Sequence, residues 1–237
     1  MNERNQISTL EGLFDCLPDT VFFTKDIDGD YMSVNNTLVE RSGLQHKSEL
    51  IGRRPSQVLG ARLGASYEGQ DQQVISTGQA ITNKLEMHIY PNRKVGWCLT
   101  NKHALFDEND ILIGIAGVSQ DLRAPDTSHS EYERLVVAID HVMENLSEAP
   151  EIDSLAKMAC LSAYQVDRRI RDIFGLTTGQ WILKQRLEFA RQELLKTNKP
   201  IASISLDTGY ADQSAFTRQF RKATGFTPSQ FRRAWSL

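Results

Sequence analysis

The chain has 237 residues, 40% hydrophobic and 24% charged, with a formal net charge of -3. These are ordinary values for globular protein, and the length suits two domains that each bury a core. No apolar run approaches the ~20 residues of a membrane span, the N-terminus MNERNQISTLEG lacks the apolar stretch of a signal peptide, and Cys16, Cys98 and Cys160 form no CxxC pair; the expectation is a cytoplasmic protein with no membrane partner, disulfide framework or metal site.

Residues 5–17 are predicted as a short helix with Ile7, Leu10, Phe14 and Leu17 at helical spacing, ended by Pro18. Residues 21–25 and 31–35 read as strands joined by a turn at Asp28-Gly29. The stretch 37–78 is mixed and holds short helices, one of them near 67–76. Three more strands follow at 81–90, 95–105 and 111–119, parted by the turn clusters Pro91-Asn92-Arg93 and Asp107-Glu108-Asn109-Asp110. This order makes an α+β domain in which one antiparallel sheet packs against helices.

Alternation in 81–89 puts Ile81, Asn83, Leu85, Met87 and Ile89 on one face and leaves Thr82, Lys84, Glu86 and His88 outside, so His88 is expected at the surface. In the next strand Trp97, Leu99, Asn101, His103 and Leu105 share a face, with Cys98, Thr100 and Lys102 pointing the other way. Asn83, Asn101 and His103 thus stand on otherwise apolar faces. A buried polar group needs a partner, which is either a ligand or the chain's own backbone and side chains.

The element order resembles that of a PAS domain over residues 7–122. The resemblance is carried by Leu17-Pro18-Asp19, Phe22-Phe23, Lys25-Asp26, Asp28-Gly29, Val34-Asn35, Gly43, Gly52, Ile113-Gly114-Ile115 and Asp121. It implies a domain that holds a small molecule between sheet and helices or that serves only to dimerise. Asn83, Trp97, Asn101 and His103 are the candidate ligand-binding residues. The cofactor stays unassigned: nothing else marks His103 as a haem ligand, and the Asn-Cys-Arg triplet of light-sensing members is missing. Phe22, Phe23 and Trp97 read as core.

The polar stretch LRAPDTSHS, from Leu122 to Ser130, contains Pro125 and has no periodicity, so it reads as an interdomain linker. A helix at 131–146 carries Leu135, Ile139, Val142 and Leu146 along one stripe and an acidic outer face. Beyond Pro150, Asp153 or Ser154 opens a helix, Cys160-Leu161 forms a turn, and Ser162 caps a second helix that runs to Phe174 and stops at Gly175. One long helix spans 179–197, with Ile182, Leu183, Leu187, Ala190 and Leu194 apolar and Lys184, Arg186, Arg191 and Lys196 exposed. The turn Gly209-Tyr210-Ala211 then leads to Asp212 as N-cap of a helix with Phe216 and Phe220 on one face and Arg218, Arg221 and Lys222 on the other.

These segments form an internal repeat. At an offset of fifty, Ser162 falls on Asp212, Val166 on Phe216, Arg168 on Arg218, Ile170 on Phe220, Gly175 on Gly225, Thr177 on Thr227 and Trp181 on Phe231. Before the turn the offset is forty-nine, Leu155 on Ile204 and Ala156 on Ser205, so one turn is a residue longer. Charge follows the repeat. Residues 154–237 hold 14 Lys and Arg against 6 Asp and Glu, whereas 131–153 hold one basic residue, Arg134, against seven acidic ones.

The stretch GYADQSAFTRQFRKATGFTP, Gly209 to Pro228, resembles the second helix-turn-helix of the AraC/XylS family of transcriptional regulators, and the resemblance extends over 131–235. It implies an all-α double helix-turn-helix domain at 131–237, after a sensor domain at 1–122 and a linker at 123–130. The implied partners are double-stranded promoter DNA, RNA polymerase and a second copy in a homodimer. Two readers on a stiff connecting helix suit successive major grooves, about 34 Å apart. The candidate DNA contacts are Tyr164, Gln165, Asp167, Arg168 and Arg169 in the first copy and Gln213, Ser214, Thr217 and Arg218 in the second. Arg grips guanine, Gln pairs with adenine and Thr touches the thymine methyl.

Asp167 departs from the family pattern; it repels phosphate but can accept from cytosine N4. An internal ion pair is the alternative for Arg168 and Arg218. Ser205 stands where the family usually has Ala, and Phe226, Phe231 and Trp235 read as core. An enzyme is not expected, since no nucleophile-base spacing, metal cluster or phosphate loop is visible.

Overall fold

The computed structural model describes residues 3–89, 95–122, 130–148 and 150–235. The turn expected at 91–93 and most of the expected linker lie outside them. The chain divides into two compact units, the first ending at Asp121 and the second beginning at Leu122.

The first unit is an antiparallel sheet with helices. Its elements are α1 (Glu3–Asp15), β1 (Thr20–Asp26), β2 (Tyr31–Val34), α2 (Asn36–Ser42), α3 (Pro55–Val58), α4 (Ala61–Thr77), β3 (Ile81–Ile89), β4 (Val95–Phe106) and β5 (Leu112–Asp121). The strands lie in the order β2-β1-β5-β4-β3, every neighbour antiparallel. Val21, Phe23, Tyr31, Val34, Leu38, Leu50, Val74 and Ile115 form a core between sheet and helices. Gly117 is paired with Phe23 across β1 and β5, and a Cβ there would come within 2.2 Å of the Phe23 ring; glycine lets that ring lie flat over β5.

Asn35 ties α1, β1 and α2 together. Fully buried, it accepts from Phe22 N (2.9 Å) and from Leu38 N (3.3 Å) as N-cap of α2, and donates to Thr20 O (2.7 Å) and Phe14 O (3.1 Å). Beside it Phe14 stacks on Phe22 with ring centroids 4.5 Å apart. Of the apolar stripe expected on α1, Phe14 packs against Phe22, whereas Leu10 and the following Leu17 do not pack. Lys47 holds the helix by ion pairs to Glu11 and Asp15, each 2.6 Å, while Leu10, Leu13 and the following Leu17 are 47%, 61% and 48% exposed.

The sheet corrects the expected alternation of β3. Register slips between Ile81 and Lys84, with Asn83 at φ 47°, so one extra residue bulges out and the phase inverts. From Lys84 onward, Lys84, Glu86 and His88 sit opposite Thr100, Cys98 and Gly96, and Leu85 and Met87 opposite Leu99 and Trp97. His88, expected at the surface, is 3% exposed.

The second unit is all helical: α5 (Ser130–Glu144), α6 (Ile152–Met158), α7 (Ala163–Phe174), α8 (Thr178–Lys196), α9 (Ile201–Asp207), α10 (Gln213–Thr224) and α11 (Pro228–Trp235). Leu135, Ile139, Val142 and Leu146 of the α5 region are buried, as the stripe implied. Helix α6 starts earlier than expected, with Glu151 as its N-cap. The repeat holds residue for residue: α9 is α6 displaced by forty-nine, and α10 is α7 displaced by fifty. Val166, Ile170, Ile173, Leu176, Thr178 and Trp181 are buried, and so are their counterparts Phe216, Phe220, Ala223, Phe226, Pro228 and Phe231.

Replacing Asn35 by Ala removes an N-cap and strands the buried Phe22 N–H. We expect a loss of about 2–4 kcal/mol from the first unit, read by urea-dependent hydrogen exchange of the β1 and α2 amides in the full chain.

Candidate nucleic-acid interface and sensor cavity

Each helix-turn-helix is built by local hydrogen bonds. In the first, Cys160 takes φ 52° and Leu161 N donates to Ala156 O (2.9 Å); in the second, Gly209 takes φ 74° and Tyr210 N donates to Ser205 O (3.0 Å). The extra residue of the second turn therefore lies after Tyr210, at Ala211. Ser162 Oγ accepts from Gln165 N (3.2 Å) to open α7, and Asp212 Oδ1 accepts from Ala215 N (2.7 Å) to open α10. Thr177 and Thr227 repeat the device for α8 and α11, each exchanging hydrogen bonds with a Gln three residues on.

The turn of the second copy is clamped. Arg186 of α8 donates through Nε to Leu146 O (2.9 Å) and lies 6.0 Å from the Tyr210 ring centroid. A Cβ on Gly209 would meet this guanidinium at 2.4 Å and the backbone oxygen of Ser147 at 2.6 Å, so the position requires glycine for room as well as for backbone angle. Arg186 was expected to be exposed; it is half-buried, like Lys184 and Arg191, the last paired with Glu188.

The expected DNA contacts divide into two sets. Tyr164 is 74% exposed, and the Arg168 side chain is 69% exposed with a single long contact to Asp172 at 3.8 Å. Gln213, Ser214 and Arg218 are exposed at the same end of α10, with Thr217 half-buried beside them. Arg218 makes no ion pair among the described residues, so the internal pairing considered for it is not found. The other three are engaged or turned aside. Gln165 accepts from Ser162 N through Oε1 (2.9 Å), and Arg169 is half-buried.

Asp167 accepts from Thr178 N (2.8 Å) and Thr178 Oγ1 (2.9 Å) with one oxygen and pairs with Arg171 (2.9 Å) with the other. Partial burial opposes its charge, but the bonds from Thr178 and Arg171 outweigh that and hold its carboxyl below the usual range. Asp167 is thus fastened to the start of α8. In the second copy its place is taken by Thr217, and Pro228 stands where Thr178 does.

Within the first unit a cavity with about 50 Å³ open to a water-sized sphere lies between the sheet and α2, α3 and α4. Its sheet wall is Val21, Phe23 and Lys25 of β1, Cys98, Thr100 and Lys102 of β4, Ser119 of β5, and Glu86 and His88 of β3. The residues expected to line it are elsewhere. Trp97 is on the opposite face of the sheet, His103 is exposed, and Asn83 sits in the bulge with its N–H donated to Asn101 Oδ1 (2.8 Å). The reason is the inverted phase of β3, together with strands β3 and β4 that turn Glu86, His88, Thr100 and Lys102 toward the cavity and Leu85, Met87, Trp97 and Leu99 away from it. Polarity was read as outward, and here it points in.

Burial, aided by the Arg41 guanidinium, lowers the His88 pKa to about 3, so its ring is neutral at pH 7. Burial pushes the Cys98 thiol up to about 12, which leaves it protonated and unreactive. Lys25 entered the sequence reading only as part of the PAS resemblance and Lys102 only as pointing away from the apolar face of its strand; both are buried, at 1% and 2% exposure. A signal was available for Lys25 alone, a lysine in phase with the apolar Val21 and Phe23 of β1; Lys102 is in phase with Cys98 and Thr100.

Comparisons with known proteins agree with this architecture. Residues 155–234 match a family described as Helix-turn-helix domain, and residues 14–126 match one described as PAS fold. Regulatory protein SoxS of Salmonella typhimurium is 33% identical over 103 residues, which cover 44% of this chain and 96% of that protein. The Arabinose operon regulatory protein of the same organism is 31% identical over 126 residues, covering 53% of this chain but only 43% of its own length. Among solved structures, the DNA-binding domain of AdpA in complex with a target DNA is 26% identical, with a TM-score of 0.41, covering 43% of this chain and 92% of that one.

The molecule is a DNA-binding transcriptional regulator with an N-terminal PAS domain, and not an enzyme. The chain belongs to the AraC/XylS family. Among the described residues, no helix is long and apolar enough to cross a membrane.

Asp167→Ala removes the acceptor for two bonds at the start of α8. We expect a loss of about 1–2 kcal/mol in stability, read by thermal unfolding, with DNA affinity at saturating folded protein changed less than twofold.

Proposed function

We propose that this chain reads promoter DNA in a sequence-specific way, with Tyr164 and Arg168 in one groove and Gln213, Ser214, Thr217 and Arg218 in the next, and that its PAS domain senses a small molecule. The domain limits that go with this reading are 1–122 for the sensor and 131–237 for the reader. The observation that carries it is the repeated, exposed arginine, Arg168 and Arg218, fifty residues apart on helices whose opposite faces are buried. Gln165, Asp167 and Arg169 are left out of the base-reading set because their side chains are committed to the fold or turned aside. Contact with RNA polymerase and a cytoplasmic location belong to the same proposal.

The cavity supports the sensing role. A site between sheet and helices, with both aromatic and charged groups on its wall, suits a small ligand. Homodimerisation draws on a different observation, the exposed Leu10 and Leu13 of α1 and the exposed Leu17 that follows it. That patch equally serves the second reading, in which the PAS domain pairs two chains and holds no ligand. Native mass spectrometry decides between them: a bound small molecule, or a ligand that raises the melting temperature, favours sensing, and an empty dimer that answers to no ligand favours the second.

Two outcomes are expected. Arg218→Ala weakens specific promoter binding by about 1–3 kcal/mol in gel shifts and relaxes the preference at one base position, and unchanged affinity removes Arg218 from the reading set. Leu13→Asp yields monomers by analytical ultracentrifugation at concentrations where the parent chain is dimeric; a dimer that survives rules out the α1 patch.

A further inference from the structure

The charged groups around the PAS cavity can be matched one against another, and one group of them does not balance. Arg41 is paired with Asp121 at 2.5 Å, and Glu86 with Lys84 at 2.8 Å. Asp71 faces two cations. Its Oδ2 lies 2.5 Å from Lys25 Nζ and its Oδ1 lies 2.6 Å from Lys102 Nζ, and all three side chains are at most 2% exposed. Each carboxylate oxygen is therefore taken by a different ammonium. Glu68 acts on Lys25 only through space, its own carboxylate accepting from Ser56 N at 2.9 Å. The group carries a net positive charge in a place that water barely reaches, an arrangement that costs free energy unless an anion completes it.

Both lysines stand on the cavity wall. Lys25 Nζ is 4.7 Å from the Phe23 ring centroid and 4.6 Å from that of Tyr31, and Lys102 Nζ is 5.8 Å from Phe23 and 5.7 Å from Tyr67. The rings hold the ammoniums in position without supplying a full negative charge. Each ammonium has three protons; Asp71 takes one from each, and Lys102 gives a second to Tyr67 O at 3.3 Å, a neutral carbonyl that adds no full negative charge. Burial, partly offset by Asp71 and reinforced by Lys102, lowers the Lys25 pKa to about 8, a sign of incomplete compensation. Next to the lysines the wall is apolar, with Val21, Phe23 and Leu38.

Resting on the sensing role proposed above, we infer that the ligand of this cavity is a small organic monoanion whose carboxylate bridges Lys25 and Lys102, with a short apolar remainder against Val21, Phe23 and Leu38. The cavity's volume limits it to a few heavy atoms. The bound carboxylate supplies the second negative charge beside Asp71. The neutral amide of the same acid has the same shape and lacks that charge.

The test uses the full chain at pH 7 and constant ionic strength. Acetate, propionate and butyrate, each beside its amide, are titrated by thermal shift and calorimetry, with inorganic phosphate as a further probe. The expected result is a saturable rise in melting temperature with at least one carboxylate, a tenfold or greater preference over its amide, and a tenfold or greater loss of affinity in Lys25→Met and in Lys102→Met. Each variant leaves Asp71 paired with one lysine, and circular dichroism and promoter gel shift check that it is folded. Equal response to acid and amide, unaltered affinity in both variants, or response to phosphate alone overturns the inference. Binding of the amides, or a neutral molecule retained in native mass spectra, overturns it while the sensing role stands. No binding by any probe, with an empty protein in native spectra, overturns both.

Discussion

A recognition helix can present a polar face to a groove only if its other face is held so firmly that the helix does not rock. In α10 this anchorage is aromatic: Phe216 packs on Tyr210 and Phe220, and Phe220 packs on Phe231, with centroid distances of 5.4–5.6 Å. In α7 the same positions hold Val166 and Ile170, with Trp181 beside Phe174 at 5.4 Å. The chemistry of the two anchors differs, while their spacing does not. Burial of every third or fourth residue fixes the rotation of each helix about its axis, and this determines which side chains face solvent. The exposed positions of Arg168 and Arg218 follow from it, and so does the half-burial of Arg169, one step round the helix.

The helical half was legible because its signals are local and redundant. Caps, left-handed turn residues and a 3.6-residue apolar period all agree in two copies, so an error in one would have shown against the other. The failures there involve contacts distant in sequence. Arg186 looks like a surface cation until Leu146 O and Tyr210, forty residues before it and twenty-four after, are seen to surround it. Asp167 looks like an ill-placed reader of bases until Thr178 is folded back against it.

The sheet domain was legible in order and only partly in detail. Every strand was found near its limits, but a strand pattern gives which residues share a face and not which face is interior. The usual tie-breaker, that apolar residues point in, fails when the interior holds a polar cavity. Asn83 compounded the error, because a single bulged residue inverts the phase of everything after it and leaves no mark in the alternation except an asparagine able to adopt a positive φ. The coupling of Lys25, Asp71 and Lys102 joins residues 46 and 31 positions apart, and no pattern along the chain announces it.

The additional residue at Ala211 separates two copies whose helices otherwise match in length and spacing. It follows a turn matched to its counterpart and precedes a helix matched to its counterpart, so it alters only how the chain enters α10. A duplicated element whose copies differ in entry and in exposed side chains has a head and a tail. Unlike a pair of identical subunits related by a twofold axis, a single chain of this kind has no symmetry that makes its two ends equivalent.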